Sequence, residues 1–226
     1  MIIPARFNGP DRSGNGGYTC GLVAQLIGDG PAEVTLRVPP PLETPLSVVR
    51  EQDTIKVYAE STLVAEALPV PPLTGAVPGV PLAEAATASR SYPGFTDHPF
   101  PACYVCGPQR PRDDGLRVFP GRLPDGRTAA PLRTPADVSP ATIWAALDCP
   151  GGWTVIGGGA PAASRPYVLG RMAAQVTALP RPGDECVVVG ACEAVEGRKA
   201  AVASSLYGPG GELLATARAT WLAVRA

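Results

Sequence analysis

The strongest constraint on this chain is an order of segments that occurs twice. A short helix-like stretch is followed each time by about four strand-like ones. The first copy opens at Asn15-Gly16-Gly17-Tyr18-Thr19-Cys20-Gly21-Leu22-Val23-Ala24-Gln25-Leu26-Ile27-Gly28. The second opens at Ser139-Pro140-Ala141-Thr142-Ile143-Trp144-Ala145-Ala146-Leu147-Asp148, and it carries an acid where the first has none. One helix followed by consecutive β segments is an α+β pattern, in which the helix covers one face of an antiparallel sheet. Two such units are like modules facing each other, not a solenoid array.

In the first copy Tyr18, Leu22, Val23, Leu26 and Ile27 recur at helical spacing. Ser13 or Asn15 can cap the helix and Gly28 is its natural stop. Gly16, Gly17 and Gly21 each cost a helix about 1 kcal/mol relative to Ala. Propensity does not explain them; plain packing or close approach by a sheet or ligand does. Residues 1–9 read as a short strand, and Glu33–Val38, Leu46–Gln52, Thr54–Glu60 and Thr62–Val70 complete an N-terminal module over 1–70. Residues 71–101 are rich in proline and read as an extended linker laid over the surface, with a turn of helix at Ala83–Ser89.

The C-terminal module, 102–226, begins at Cys103-Tyr104-Val105-Cys106-Gly107-Pro108. Gly115–Phe119 reads as a strand, and Asp125-Gly126 as a hairpin turn into Arg127–Leu132. Ser139 caps the second helix with Pro140 at its first position. Pro150, before Gly151-Gly152, predicts that this helix ends or kinks just past Asp148. Tyr167–Thr177, Glu185–Val195, Arg198–Tyr207 and Glu212–Val224 read as four strands.

Composition narrows the partners. A net charge of −1 and a pI near 5.9 give no general electrostatic case for nucleic acid or an anionic membrane. No apolar run approaches the roughly 18 residues of a membrane span. The first residues lack a basic region before an apolar signal core, so a cytoplasmic location is expected, with mostly reduced cysteines.

Particular residues carry a family resemblance. Cys103-x-x-Cys106-Gly107-Pro108 followed by Gly115-Leu116-Arg117 resembles the stretch that opens many hotdog acyl-CoA thioesterases. Gly210-Gly211-Glu212-Leu213-Leu214-Ala215-Thr216-Ala217 is similar to their last strand. Their helix often begins His-Gly-Gly and carries an acid two turns on. Asn15-Gly16-Gly17 matches that start with Asn for His, and Ala146-Leu147-Asp148 matches the acidic end. The two features lie in different halves. In hotdog dimers the active site combines the helix start of one subunit with the acid of the other. The resemblance therefore implies a double hotdog, two tandem helix-wrapped antiparallel sheets forming a pseudo-dimer with one site at its interface.

The activity implied is hydrolysis of an acyl thioester, either acyl-CoA or acyl-carrier protein, with no cofactor. The alternative is a protein that binds such a thioester without cleaving it, or serves in assembly. A helix start presents free N–H groups that can stabilise a developing oxyanion, and Gly16 and Gly17 leave that backbone unobstructed. Asn15 either adds a donor or caps the helix. Asp148 acts as general base or nucleophile, its pKa raised if it lies at a helix C-terminus. Thr19 and Thr154 either position water or are ordinary helix hydroxyls, and Tyr18 and Trp153 either line an acyl tunnel or pack in the core. Arg110 and Arg112 either meet CoA phosphates or sit in a solvated loop.

The Cys103/Cys106 pair alone has two of the four ligands structural zinc takes. His98, Cys149, Cys186 or Cys192 would have to complete the set and no spacing indicates it, so a tight turn without metal is expected. A dehydratase of the same fold normally uses His with Asp, and the one histidine, His98, lies in the linker. An unbroken sheet edge would allow a homodimer of double-hotdog chains.

Overall fold

A computed structural model of the chain describes residues 1–157 and 166–224. Helix α1 (Gly16–Ala24) is followed by strands β1 (Ala32–Leu36), β2 (Ser47–Glu51), β3 (Thr54–Ala59) and β4 (Thr62–Pro69). Helix α2 (Leu82–Arg90) and strands β5 (Gly121–Arg122) and β6 (Thr128–Arg133) precede helix α3 (Pro140–Gly152). Strands β7 (Tyr167–Val176), β8 (Glu185–Glu196), β9 (Lys199–Tyr207) and β10 (Leu213–Ala223) complete the chain.

The ten strands of the described residues form one antiparallel sheet in the order β2-β3-β4-β1-β7-β10-β9-β8-β6-β5. The strand after α1 and the strand after α3 meet at its centre, with Val34 opposite Met172 and Thr35 opposite Arg171. From that junction outward each half runs through its own remaining strands in mirrored sequence, so β4, β3 and β2 answer β10, β9 and β8. The first half has no counterpart of β6, which leaves β2 as an open edge with Val48 and Val49 exposed. One core joins the halves: Cys20, Val23 and Val34 are buried in the same cluster as Ile143, Leu147 and Met172.

The helices cross at glycines. A Cβ on Gly17 would lie 3.0 Å from Ala145 Cα and 2.7 Å from the Trp144 carbonyl oxygen. One on Gly21 would lie 2.6 Å from Ala141 Cα. Gly17 and Gly21, four residues apart, thus form a bare stripe on which α3 rests, the contact that outweighs their poor helix propensity.

Several local expectations are corrected. Residues 1–9 form no strand of the sheet; Ala5–Phe7 is a 3₁₀ turn set by Pro4. Helix α1 stops at Ala24, short of Gly28, because the Leu26 and Ile27 N–H groups donate to carbonyls three residues back. Gly115–Phe119 joins no ladder. Arg117 has φ +53, and only the Leu116 and Val118 N–H groups donate, to the Tyr104 and Val105 carbonyls. Helix α2 is longer than a turn and buries Ala85 and Ala88 against Ala129 and Val189. Helix α3 runs on through Pro150 to Gly152. Only its last turn loses an N–H donor to the proline, and the Thr128 hydroxyl donates to the Pro150 carbonyl at 2.7 Å.

Candidate active site

Asn15 caps α1: its Oδ1 accepts the Tyr18 N–H at 2.8 Å. Its other amide atom, Nδ2, donates to Asp148 Oδ2 at 3.3 Å. The Gly17 N–H donates to the same oxygen at 3.0 Å. One side chain therefore serves as cap and as donor. Because α3 rests on Gly17, the carboxylate in its third turn, nine residues past the Ser139 cap, reaches the open N–H groups of α1, and Asp148 is 3% exposed. Asp148 Oδ1 has no hydrogen-bond partner among the described residues.

Burial pushes the Asp148 pKa up to about 7, the Gly17 N–H and the Asn15 amide hold it back, and the nearby Cys103 sulfur adds to the rise. The cause differs from the expected one, since the helix continues beyond Asp148 and desolvation alone leads the shift. Gly16 carries the remaining first-turn N–H, which has no protein acceptor among the described residues.

These groups line a cavity of about 290 Å³. Asn15, Gly16, Asp148, Trp153 and His98 form one side of it, with Leu36, Tyr167, Leu169 and Trp221 supplied by the sheet. The sheet residues were not singled out from sequence, although the alternation at Tyr167–Leu169 is the available signal. Gly17 lies one layer behind, bonded to Asp148. Tyr18 stands outside the cavity wall, stacked on Phe7 with centroids 3.8 Å apart. Thr19 is buried with no partner for its hydroxyl among the described residues, and the Thr154 hydroxyl donates to the Gly151 carbonyl at 2.6 Å; neither lines the cavity.

Arg110 is not a free cation for phosphates. Its side chain is buried, donating to Asn8 Oδ1 and the Ala102 carbonyl and pairing with Asp114 at 3.0 Å. Arg112 is exposed. His98 shares the cavity with Asp148, but its Nε2 lies 3.4 Å from Cys106 Sγ. The Phe100 N–H donates to its Nδ1 at 2.9 Å.

The Cys103/Cys106 turn faces α3, so that Cys103, Cys106 and Cys149 place their sulfur atoms within 4.8 Å of one another. The neighbouring Cys106 and Cys149 thiols hold the Cys103 pKa well below the usual thiol value, whereas burial pushes Cys106 and Cys149 up.

Two helices, each wrapped by its half of one antiparallel sheet and joined back to back about a pseudo-two-fold, define a double hotdog with an acid-bearing cleft at the internal interface. Solved structures share that fold along nearly the whole chain. A protein of Novosphingobium aromaticivorans designated a thioesterase superposes with TM-score 0.61 at 18% identity, covering 98% of this chain and 93% of that one. A hotdog-fold protein of Alicyclobacillus acidocaldarius gives 0.59 at 14% identity, covering 99% and 92%. The tesB protein of Mycobacterium avium subspecies paratuberculosis gives 0.60 at 12% identity, covering 99% and 91%. No protein-family profile matches the sequence, and no curated protein matches it.

Proposed function

We propose that the chain hydrolyses an acyl thioester in the cleft between the start of α1 and Asp148. The observation that carries this reading is a buried carboxylate with a pKa of about 7 and one free oxygen on the wall of an apolar cavity. The designation of a whole-chain structural neighbour as a thioesterase supports the same chemistry.

In this reading Asp148 Oδ1 takes a proton from water as the water oxygen attacks the thioester carbonyl carbon. Negative charge develops on the carbonyl oxygen, and the free N–H of Gly16 at the positive end of α1 receives it. The Gly17 N–H is already committed to Asp148, so it orients the base and does not serve the oxyanion. The C–S bond then breaks and the leaving sulfur takes the proton back from Asp148, giving acid and thiol. A cavity near 290 Å³ lies at the lower edge of the roughly 300–1,000 Å³ of ligand pockets. It suits a small acyl group, with the carrier, CoA or protein, outside.

One observation favours binding without turnover: the Asn15 and Gly17 donors are both spent on Asp148. A panel of acyl-CoAs of graded length, followed with a thiol-detecting reagent, separates the two. Hydrolysis is expected for short acyl groups in wild type and lost in Asp148→Ala. Turnover unchanged in that variant would sink the mechanism, and saturable binding with no turnover would establish the other reading.

A further inference from the structure

Three cysteines from two distant segments converge at the cavity. Cys103 and Cys106 come from the loop before β5, and Cys149 comes from α3. A tetrahedral zinc with Zn–S bonds of about 2.3 Å sets its sulfurs about 3.8 Å apart. Here all three lie within 4.8 Å of one another, so closing on a cation asks for a shift of about 1 Å at most.

The loop has the form of a metal-binding knuckle. The Gly107 N–H donates to the Cys103 carbonyl at 2.9 Å, which closes the turn that carries both cysteines. Gly107 is required there, since a Cβ would lie 2.4 Å from Cys103 N.

Further donors surround the cluster. Asn15 Nδ2 lies 3.8 Å from the Cys103 sulfur. Because Phe100 donates to Nδ1 of His98, the proton of that neutral ring sits on Nε2, directed at Cys106 Sγ. Two N–H groups thus face the Cys103 and Cys106 sulfurs. This is the outer shell that anionic sulfur needs, and three adjacent buried thiolates would repel one another without a cation between them.

We propose that Cys103, Cys106 and Cys149 form a three-thiolate site for a divalent cation of the zinc class. Its fourth position opens into the cavity, and His98 is an outer donor to Cys106. All three cysteines line that cavity, which gives the cation a path in. As it enters, the remaining thiol protons leave to solvent. The ligand types, soft sulfur only, exclude calcium and magnesium.

The test is metal content of the full chain, purified under reductant without chelator and then loaded with zinc or cobalt(II). Stoichiometric zinc is expected, and the cobalt form should show sulfur-to-metal charge-transfer absorption. Cys149→Ser and Cys103→Ser should each lose both signals, while Cys192→Ser, changed on the exposed face of β8, keeps them. His98→Ala should weaken zinc roughly 10-fold and keep the charge-transfer band. Circular dichroism confirms that each variant is folded. A zinc chelator should lower the melting temperature of wild type and leave Cys149→Ser unmoved.

A folded wild-type chain that takes up neither metal overturns the proposal. So does metal retained in Cys149→Ser, or a Cys103–Cys106 cross-link in a non-reduced digest that persists in fresh reductant. Metal content is read on resting protein with no thioester present, so its failure leaves the hydrolase reading standing.

Discussion

The pseudo-two-fold gives this molecule two interface sites, and they differ in almost every group that chemistry would use. At one, α1 begins Asn15-Gly16-Gly17 against Asp148 of α3. At the other, α3 begins Ser139-Pro140-Ala141 beside the end of α1, where Ala24 holds the position equivalent to Asp148. The scaffold is the same at both. Ala145 lies on Gly17 as Ala141 lies on Gly21, and both caps hold the N–H three residues on, Asn15 for Tyr18 and Ser139 for Thr142. What differs is the acid, the spare donor and the first N–H, which Pro140 lacks. Helix packing is therefore insensitive to which end carries the acid.

The sharpest way to break the comparison is to exchange the acids. Asp148→Asn should lower kcat by about 10²–10⁴-fold, the usual worth of a general base. Ala24→Asp should add no activity, because Ser139 has no amide to hold a second carboxylate and Pro140 lacks the N–H that Gly16 offers to the oxyanion. Turnover surviving Asp148→Asn, or a gain in Ala24→Asp/Asp148→Asn, would show the two ends to be interchangeable.

The pH dependence sharpens the same contrast. A base with a pKa near 7 gives kcat/KM that rises with pH through about 7 and then levels. Its sign for stability is opposite to that of a salt-bridged acid. Between the ordinary carboxylate value near 4 and about 7 the folded chain holds a proton that the unfolded chain has lost. Stability from this group therefore falls across that window, by about 4 kcal/mol at most, and is constant above it. In Asp148→Asn the contribution is absent, so the variant should melt higher than wild type at pH 8 and show no such fall. Melting curves from pH 4 to 8 check this; a wild-type curve that gains stability over the window, relative to Asp148→Asn, contradicts a raised pKa.

Next in size is the packing stripe. Gly17→Ala would press a methyl into Asp148 Cβ at 2.5 Å and the Trp144 carbonyl at 2.7 Å, and should destabilise by about 1–3 kcal/mol while displacing the base. Gly21→Ala meets Ala141 and should cost a similar amount by melting temperature, yet leave the pH profile of the remaining activity in place. Equal loss of activity per unit of lost stability in both variants would remove any special standing for the Gly17 end.

How far the sequence discloses this depends on the range of each contact. Strands β7 to β10 and both caps follow from local alternation and from Ser and Asn ahead of apolar runs. The pairing of Asn15 and Gly17 with Asp148 is legible only when the two copies are compared, since neither helix alone holds a complete set. The role of Gly17 and Gly21 is not legible, because a glycine stripe does not say whether a ligand, a sheet or a helix will rest on it. Cys149 joins Cys103 and Cys106 only through the fold, which brings the third turn of α3 against a loop far away in sequence. Pro150 misleads because the rule against proline is strong in a helix interior and weak where one remaining turn is braced by Thr128.

The smallest predicted effect tests the caps. Ser139→Ala removes the oxygen that accepts the Thr142 N–H at 3.3 Å, and should cost about 1 kcal/mol of stability with kcat/KM unchanged. Asn15→Ala removes the equivalent cap, at a similar cost of about 1 kcal/mol, and also a donor to Asp148. Losing that donor raises the Asp148 pKa further, so the pH midpoint of kcat/KM should move up in Asn15→Ala and stay fixed in Ser139→Ala. Asn15→Ser discriminates further: it restores the cap and recovers stability, but its short hydroxyl cannot serve both α1 and the carboxylate, so the shifted midpoint should remain. A midpoint that returns with the cap would mean that Asn15 acts on the site only by holding the helix, and the two ends of the interface would then differ in the acid alone.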